Sequence, residues 1–202
     1  MVTSSTSDFF FWLILGCFGF GLLISVERLW ALRRASIDRR RFFEKLTGAL
    51  EKGGVNAAIA VCAQSRSSLA NMIYAGLLRS GKGVERVEQA LATSGAIEMG
   101  LLEKNLVWLV FVVSVAPMLG FIGTVIGIIG TFNEIASSNN LSPVLIAGGI
   151  SQALQPTVLG LVAGITIQGA HTYCVTRIDR IVTDMEAVTQ ALLDILVEKK
   201  IV

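Results

Sequence analysis

The sequence predicts an all-α membrane protein with three transmembrane helices and long helical extensions outside the bilayer. Three observations carry that prediction. Of the 202 residues, 53% are hydrophobic and only 16% charged, with a mean hydropathy of +0.68. That is too apolar for an ordinary soluble domain. Three runs are long and charge-poor enough to cross about 30 Å of hydrocarbon, which takes about 20 apolar residues. Elsewhere the apolar residues recur at helical steps of three and four, with no strand alternation and no convincing internal repeat. The 20 glycines, free of collagen periodicity, suit closely packed membrane helices.

Residues 1–8 read as a short N-terminal segment without positive charge. The first span, "FFFWLILGCFGFGLLISV", covers residues 9–26 and is framed by Asp8 and Glu27. No Lys or Arg precedes it and no small-residue cleavage pattern follows, so it reads as a retained anchor and not a secretory signal. Arg28, Arg33, Arg34, Arg39, Arg40 and Arg41 crowd its exit. The positive-inside rule therefore puts the N-terminus in the periplasm and residues 27–105 in the cytoplasm.

Within 27–105 the pattern is helical. "DRRRFFEKLTGAL" ends at the breaker pair Gly53-Gly54, and "VNAAIAVCAQS" follows as a short second helix. "SLANMIYAGLLRSG" ends at Gly81 and Gly83. "VERVEQALATSGAIEMGLLEKNLVWL" reads as continuous into the second span, with Glu85, Glu88, Glu98 and Glu103 on its polar side. The second span covers 106–132, an outer loop without Lys or Arg covers 133–143, and the third span covers 144–170. Residues 171–202 form a cytoplasmic amphipathic helix that extends span three. Its apolar positions are Ile178, Ile181, Met185, Val188, Leu192 and Leu196, and Arg177, Arg180, Lys199 and Lys200 keep it inside.

The spans are not plain anchors. In span two, Gly120, Gly123, Gly127 and Gly130 recur at steps of three and four, and Gly123 and Gly127 form a GxxxG pair that admits a second backbone. Thr124 and Thr131 share a neighbouring face. Pro117 frees the carbonyl of Val113, and in span three Pro156 frees that of Gln152. Ala153, Gly160 and Gly164 make a narrow small-residue face, with Gln152, Gln155 and Thr157 beside the Pro156 gap. Polar groups cost several kcal/mol when left unpaired in lipid. These side chains therefore face other helices or a hydrated interior, as polar glue or as pore lining, and the pattern leaves both open. The only acidic residue between Asn105 and Arg177 is Glu134, at the outer edge. A proton path through the membrane normally needs an ionisable group at mid-depth, so a partner would have to bring it.

Other chemistry is poorly supported. Cys17, Cys62 and Cys174 have no CxxC spacing, so neither a disulfide nor a metal site is expected. His171 is the sole histidine and lacks a nucleophile or metal-spaced companions. No enzyme, cofactor or metal reading survives. The basic cluster abuts a span, so topology and anionic membrane lipids explain it, and nucleic acid is not expected.

The blocks "APMLGFIGTVIGIIGTF" and "GISQALQPTVLGLVAGI" resemble the MotA/TolQ/ExbB proton-channel family, in its three-span ExbB and TolQ branch. The first block matches at Ala116, Pro117, Gly120, Gly123, Thr124, Val125, Gly127 and Ile128. The second matches at Gly149, Ile150, Ala153, Leu154, Thr157, Gly160 and Leu161. The resemblance implies a stator in the bacterial inner membrane, a homopentameric ring around two copies of an ExbD/TolR/MotB-like single-span protein carrying a membrane aspartate. It also implies a TonB- or TolA-like transducer and work in transport, envelope maintenance, gliding or secretion. By that resemblance Thr124 and Thr157 face the pore, with Gln152, Gln155 and Thr131 as further pathway candidates. Gln152 stands where members often have Glu, the Gln155-Pro156 pair is unusual, and Thr166 stands near the place of a usual proline. The alternative is a non-conducting scaffold whose cytoplasmic bundle recruits a partner.

Overall fold

A computed structural model of the chain describes residues 2–36, 38–65, 67–138 and 142–198. Among these residues all regular structure is α-helical: α1 Val2–Ala35, α2 Arg39–Gln64, α3 Ser68–Leu77, α4 Val84–Glu103, α5 Leu106–Ser138 and α6 Pro143–Glu198. Three helical stretches are long and apolar enough to cross a membrane. The chain divides into two units, residues 1–27 with 105–173, and residues 28–104 with 174–202. Lys199, Lys200 and the centre of the expected outer loop, residues 139–141, lie outside the described residues.

The first unit is built from the apolar parts of α1, α5 and α6. Ile14, Ala116 and Ala163, one from each helix, are fully buried together, with Phe18, Leu119 and Leu159 packed around them. Small residues set how closely these helices approach. A Cβ added at Gly21 of α1 would meet Ile167 of α6 at 3.0 Å and Val112 of α5 at 3.1 Å. A Cβ at Gly123 of α5 would meet Pro156 at 3.0 Å and Phe10 at 3.3 Å. Progress along α1 from Phe10 to Gly21 thus matches descent along α5 and ascent along α6, so α5 runs antiparallel to the other two. The outward faces are strongly apolar: Leu23 is 73% exposed, Val107 75% and Ile165 73%. Such surface is rare on a soluble monomer and natural against lipid.

Two boundaries differ from the sequence expectation. Helix α5 continues to Ser138, into the segment read as outer loop. Thr131 and Ile135, one turn apart, are both buried there, so packing carries the helix past the apolar run. Pro143 then opens α6 at the first helical position, where its missing N–H costs nothing. The expected continuity of α4 into α5 is also corrected. Asn105 takes a left-handed backbone (φ +65°) that interrupts the helix between Glu103 and Leu106. Asn is among the few residues that tolerate this conformation.

The second unit buries one face of each of its helices. Asp38 caps α2 by accepting from the backbone N–H of Arg40 (3.1 Å) and Arg41 (3.4 Å). Ser67 caps α3 by accepting from Ala70 (3.2 Å). Gly54 has φ +65° and kinks α2 where the sequence pattern breaks. Gly76 lets α3 and α4 close, since a Cβ there would sit 2.5 Å from Leu91. The six apolar positions of the C-terminal repeat, Ile178 to Leu196, are all buried. At the end of α4, the buried guanidinium of Arg28 donates to the carbonyl of Lys104 at 2.8 Å. That satisfies a helix-end acceptor next to the Asn105 break.

Candidate functional site

The site lies where α5 and α6 pass closest in the first unit. Gly120 allows this: a Cβ there would lie 2.9 Å from both the Pro156 carbonyl oxygen and the Thr157 Cα. Gly160 repeats the arrangement from the other helix, with Ala116 O at 2.5 Å from an added Cβ. Gly164 abuts Pro117, whose Cγ would be 3.0 Å away. Both helices therefore give up side chains so that backbone meets backbone, a contact worth making in lipid, where water provides no hydrophobic drive.

At this crossing two hydroxyls meet one carbonyl. Thr157 Oγ1 donates to Gly120 O across the interface at 2.9 Å. Thr124 Oγ1 reaches the same oxygen from one turn along its own helix at 3.2 Å. The two hydroxyls are also in hydrogen-bond contact with each other. Three contacts share two hydroxyl protons, because a threonine has one O–H and can accept besides. Thr124 can therefore donate either to Gly120 O or to Thr157 Oγ1 without breaking the cluster. Both side chains are half-buried.

The other expected pathway residues do not join this pair. Gln152 and Gln155 are exposed on α6, on faces turned away from the Gly120 contact. Thr131 is buried, donates to Gly127 O at 3.0 Å and rests against Gly149. It packs α5 against the start of α6. Pro156 is fully buried against Gly120 and Gly123, so its ring fills the groove that the glycines leave. Two participants were not recognised in the sequence. The Gly120 carbonyl is the shared acceptor, and no side-chain pattern marks a backbone oxygen. Gly149 was noticed only as part of a motif, although its missing side chain is what admits Thr131. Among the described residues no group of His, Cys, Asp or Glu could hold a metal ion.

A model of the MotA/TolQ/ExbB proton channel family matches residues 64–187, which include the whole α5–α6 crossing. The chain belongs to the MotA/TolQ/ExbB proton channel family. This is a multi-pass membrane protein of a channel family and not of an enzyme family. It is 31% identical over 170 residues to a putative biopolymer transport protein ExbB homolog of Methanothermobacter thermautotrophicus, covering 84% of this chain and 60% of that protein. A putative biopolymer transport protein ExbB-like 3 of Synechocystis is 27% identical over 153 residues, 73% of this chain and 72% of the relative. The Tol-Pal system protein TolQ of Haemophilus influenzae is 33% identical over 87 residues, 43% of this chain and 38% of the relative. The chain thus spans about three fifths of the length of the first of these relatives. The ExbB and TolQ names agree with the branch suggested by the two motif blocks.

Proposed function

We propose that this chain is the ExbB/TolQ-like stator subunit of a motor driven by proton motive force in the cytoplasmic membrane. In this reading copies of the chain form a ring, pentameric as in the resemblance, around a single-span partner of the ExbD/TolR/MotB kind. The partner's membrane aspartate carries the proton. The N-terminus faces the periplasm and the C-terminal helix the cytoplasm. A TonB- or TolA-like transducer would pass the work on. The single observation behind the proposal is the Thr124–Thr157 hydroxyl pair sharing the Gly120 carbonyl, in two helices with no ionisable side chain near it.

Such a pair suits a passing carboxyl group. A neutral hydrogen bond contributes about 0.5–1.5 kcal/mol and one to a charged group about 1.5–3 kcal/mol. A deprotonated aspartate could therefore draw a threonine proton away from Gly120 O, whereas a protonated one would leave the internal bonds in place. The wall would thus grip the charged form and release the neutral one. One charge crossing 100 mV is worth about 2.3 kcal/mol, comparable with that difference, so the grip can be overcome in each cycle. Gln152 and Gln155, exposed and uncharged on another face of α6, would line the path only where a neighbouring copy of the chain brings that face toward the partner.

The test is proton flux into vesicles holding the chain with its single-span partner. Thr157→Val should lower flux by about tenfold, one lost charge-assisted bond, with the complex still assembled. Undiminished flux in an assembled Thr157→Val complex would remove the hydroxyl pair from the pathway. Absence of flux from the unaltered complex would favour a non-conducting scaffold.

A further inference from the structure

Beneath the basic end of α1 lies an open polar cavity of about 550 Å³ within the second unit. Four arginines line it: Arg33, Arg39, Arg40 and Arg177. The two carboxylates in its wall are already engaged. Asp184 pairs with Arg39 at 3.3 Å. Asp38 caps α2 and contacts Arg41 at 3.4 Å. Arg40 pairs with Glu44, outside the cavity lining, and both side chains are largely exposed. Arg33 and Arg177 have no carboxylate partner among the described residues. Arg177 Nη2 donates instead to Ser36 Oγ at 3.1 Å. That bond steadies the guanidinium and leaves the Ser36 O–H free to donate into the cavity.

We propose that this cavity is a binding site for the phosphate ester of an anionic phospholipid headgroup, held between Arg33 and Arg177 with Ser36 as a third donor. Guanidinium groups match phosphate oxygens with paired donors, and two arginines without carboxylates leave a positive pocket. The depth also fits a lipid. Counted along their own helices, Arg33 is six residues past Glu27 and Arg177 four residues past Tyr173, where the apolar unit ends. At 1.5 Å per residue that is about 6–9 Å, and one headgroup layer is about 5–8 Å thick. Basic residues near a span commonly attract acidic lipids as a diffuse belt. Here a shaped cavity and an oriented guanidinium single out two of the many arginines. The inference rests on membrane insertion and is independent of proton coupling.

The test uses the full chain, with whatever partners accompany it, in nanodiscs of phosphatidylcholine doped with phosphatidylglycerol. Native mass spectrometry after gentle extraction counts the retained lipids. The unaltered protein should keep phosphatidylglycerol in preference to phosphatidylcholine. Arg33→Gln should cut retention about tenfold, as expected for losing one charge-assisted contact. Arg33 makes no ion pair among the described residues, so this variant should fold. Arg33→Lys, which keeps the charge but not the fork, should fall between. Arg79→Gln, at an exposed arginine elsewhere in the unit, should retain lipid fully. Equal losses from Arg33→Gln and Arg79→Gln would mean a diffuse electrostatic belt and overturn the site. Displacement of the lipid by dilute free glycerol phosphate would assign the cavity to a soluble phosphate ester and overturn the lipid reading.

Discussion

Replacing Gly160 by alanine tests the close α5–α6 crossing with one methyl group. The new Cβ would stand 2.5 Å from the Ala116 carbonyl oxygen and 3.3 Å from the Pro117 Cα. A relaxed carbon–oxygen contact is about 3.3–3.6 Å, so the helices must separate locally by close to 1 Å. The obstacle is backbone, which cannot rotate aside as a side chain can. Gaps of about 0.5–1 Å forfeit a quarter to a half of the dispersion energy of each contact they open. Overpacking of this kind costs about 1–3 kcal/mol. At a central cost of about 2 kcal/mol, a chain of this size should melt about 4–8 °C lower. Gly169→Ala is the matched control, because a Cβ there would meet nothing within 4 Å, and alanine favours a helix by up to about 1 kcal/mol. Thermal unfolding in detergent, followed by the fluorescence of Trp12, Trp30 and Trp108, reads both variants. A Gly160→Ala protein that melts with the unaltered chain would refute the backbone contact and with it the register of α5 on α6.

Three further outcomes are expected. A double-mutant cycle with Thr124→Val and Thr157→Val should give a coupling of about 0.5–1.5 kcal/mol, as for one net hydrogen bond; strictly additive losses would mean that the hydroxyls do not meet. Burial pushes the Cys62 thiol up to about 11 from an ordinary 9.0. Raised folded affinity for the proton means that its contribution to stability is complete below pH 9 and fades as pH rises toward 11. Cys62→Ala should therefore flatten alkaline denaturation in that window, and native Cys62 should resist maleimide at neutral pH until the protein is unfolded. Gly54→Ala should destabilise the second unit by about 1–3 kcal/mol because φ +65° with ψ −160° is a backbone region open to glycine, and Gly54→Asn should cost as much, since that ψ lies outside the left-handed helical region Asn tolerates; equal stability of all three in chemical denaturation would deny the kink.

The helical class and the three spans were legible because they depend on long-range composition and on the absence of charge over whole turns. The C-terminal face from Ile178 to Leu196 was legible for a related reason: its period is unbroken and every position is buried. The α4–α5 break was not, because it turns on the backbone of Asn105 alone, inside a run that otherwise reads as helix. Arg28 was read only as a topological charge, yet it is buried and caps the end of α4 through Lys104. Its partner is a carbonyl 76 residues away, which spacing cannot reveal. At the candidate site, the glycine stripe and the two threonines were visible as types at helical steps. That Thr124 and Thr157 converge on Gly120 follows from the antiparallel register, which only the fold sets. The glutamines were grouped with Thr157 by nearness in sequence, but a helix turns about 100° per residue and carries them to another face.

The most direct test of the stator reading is the composition and mass of the complex purified gently from native membranes. The expected result is a closed ring of this chain enclosing a single-span protein with an aspartate at mid-membrane depth. Repeated recovery of the chain alone, or with a partner lacking any membrane carboxylate, would contradict it.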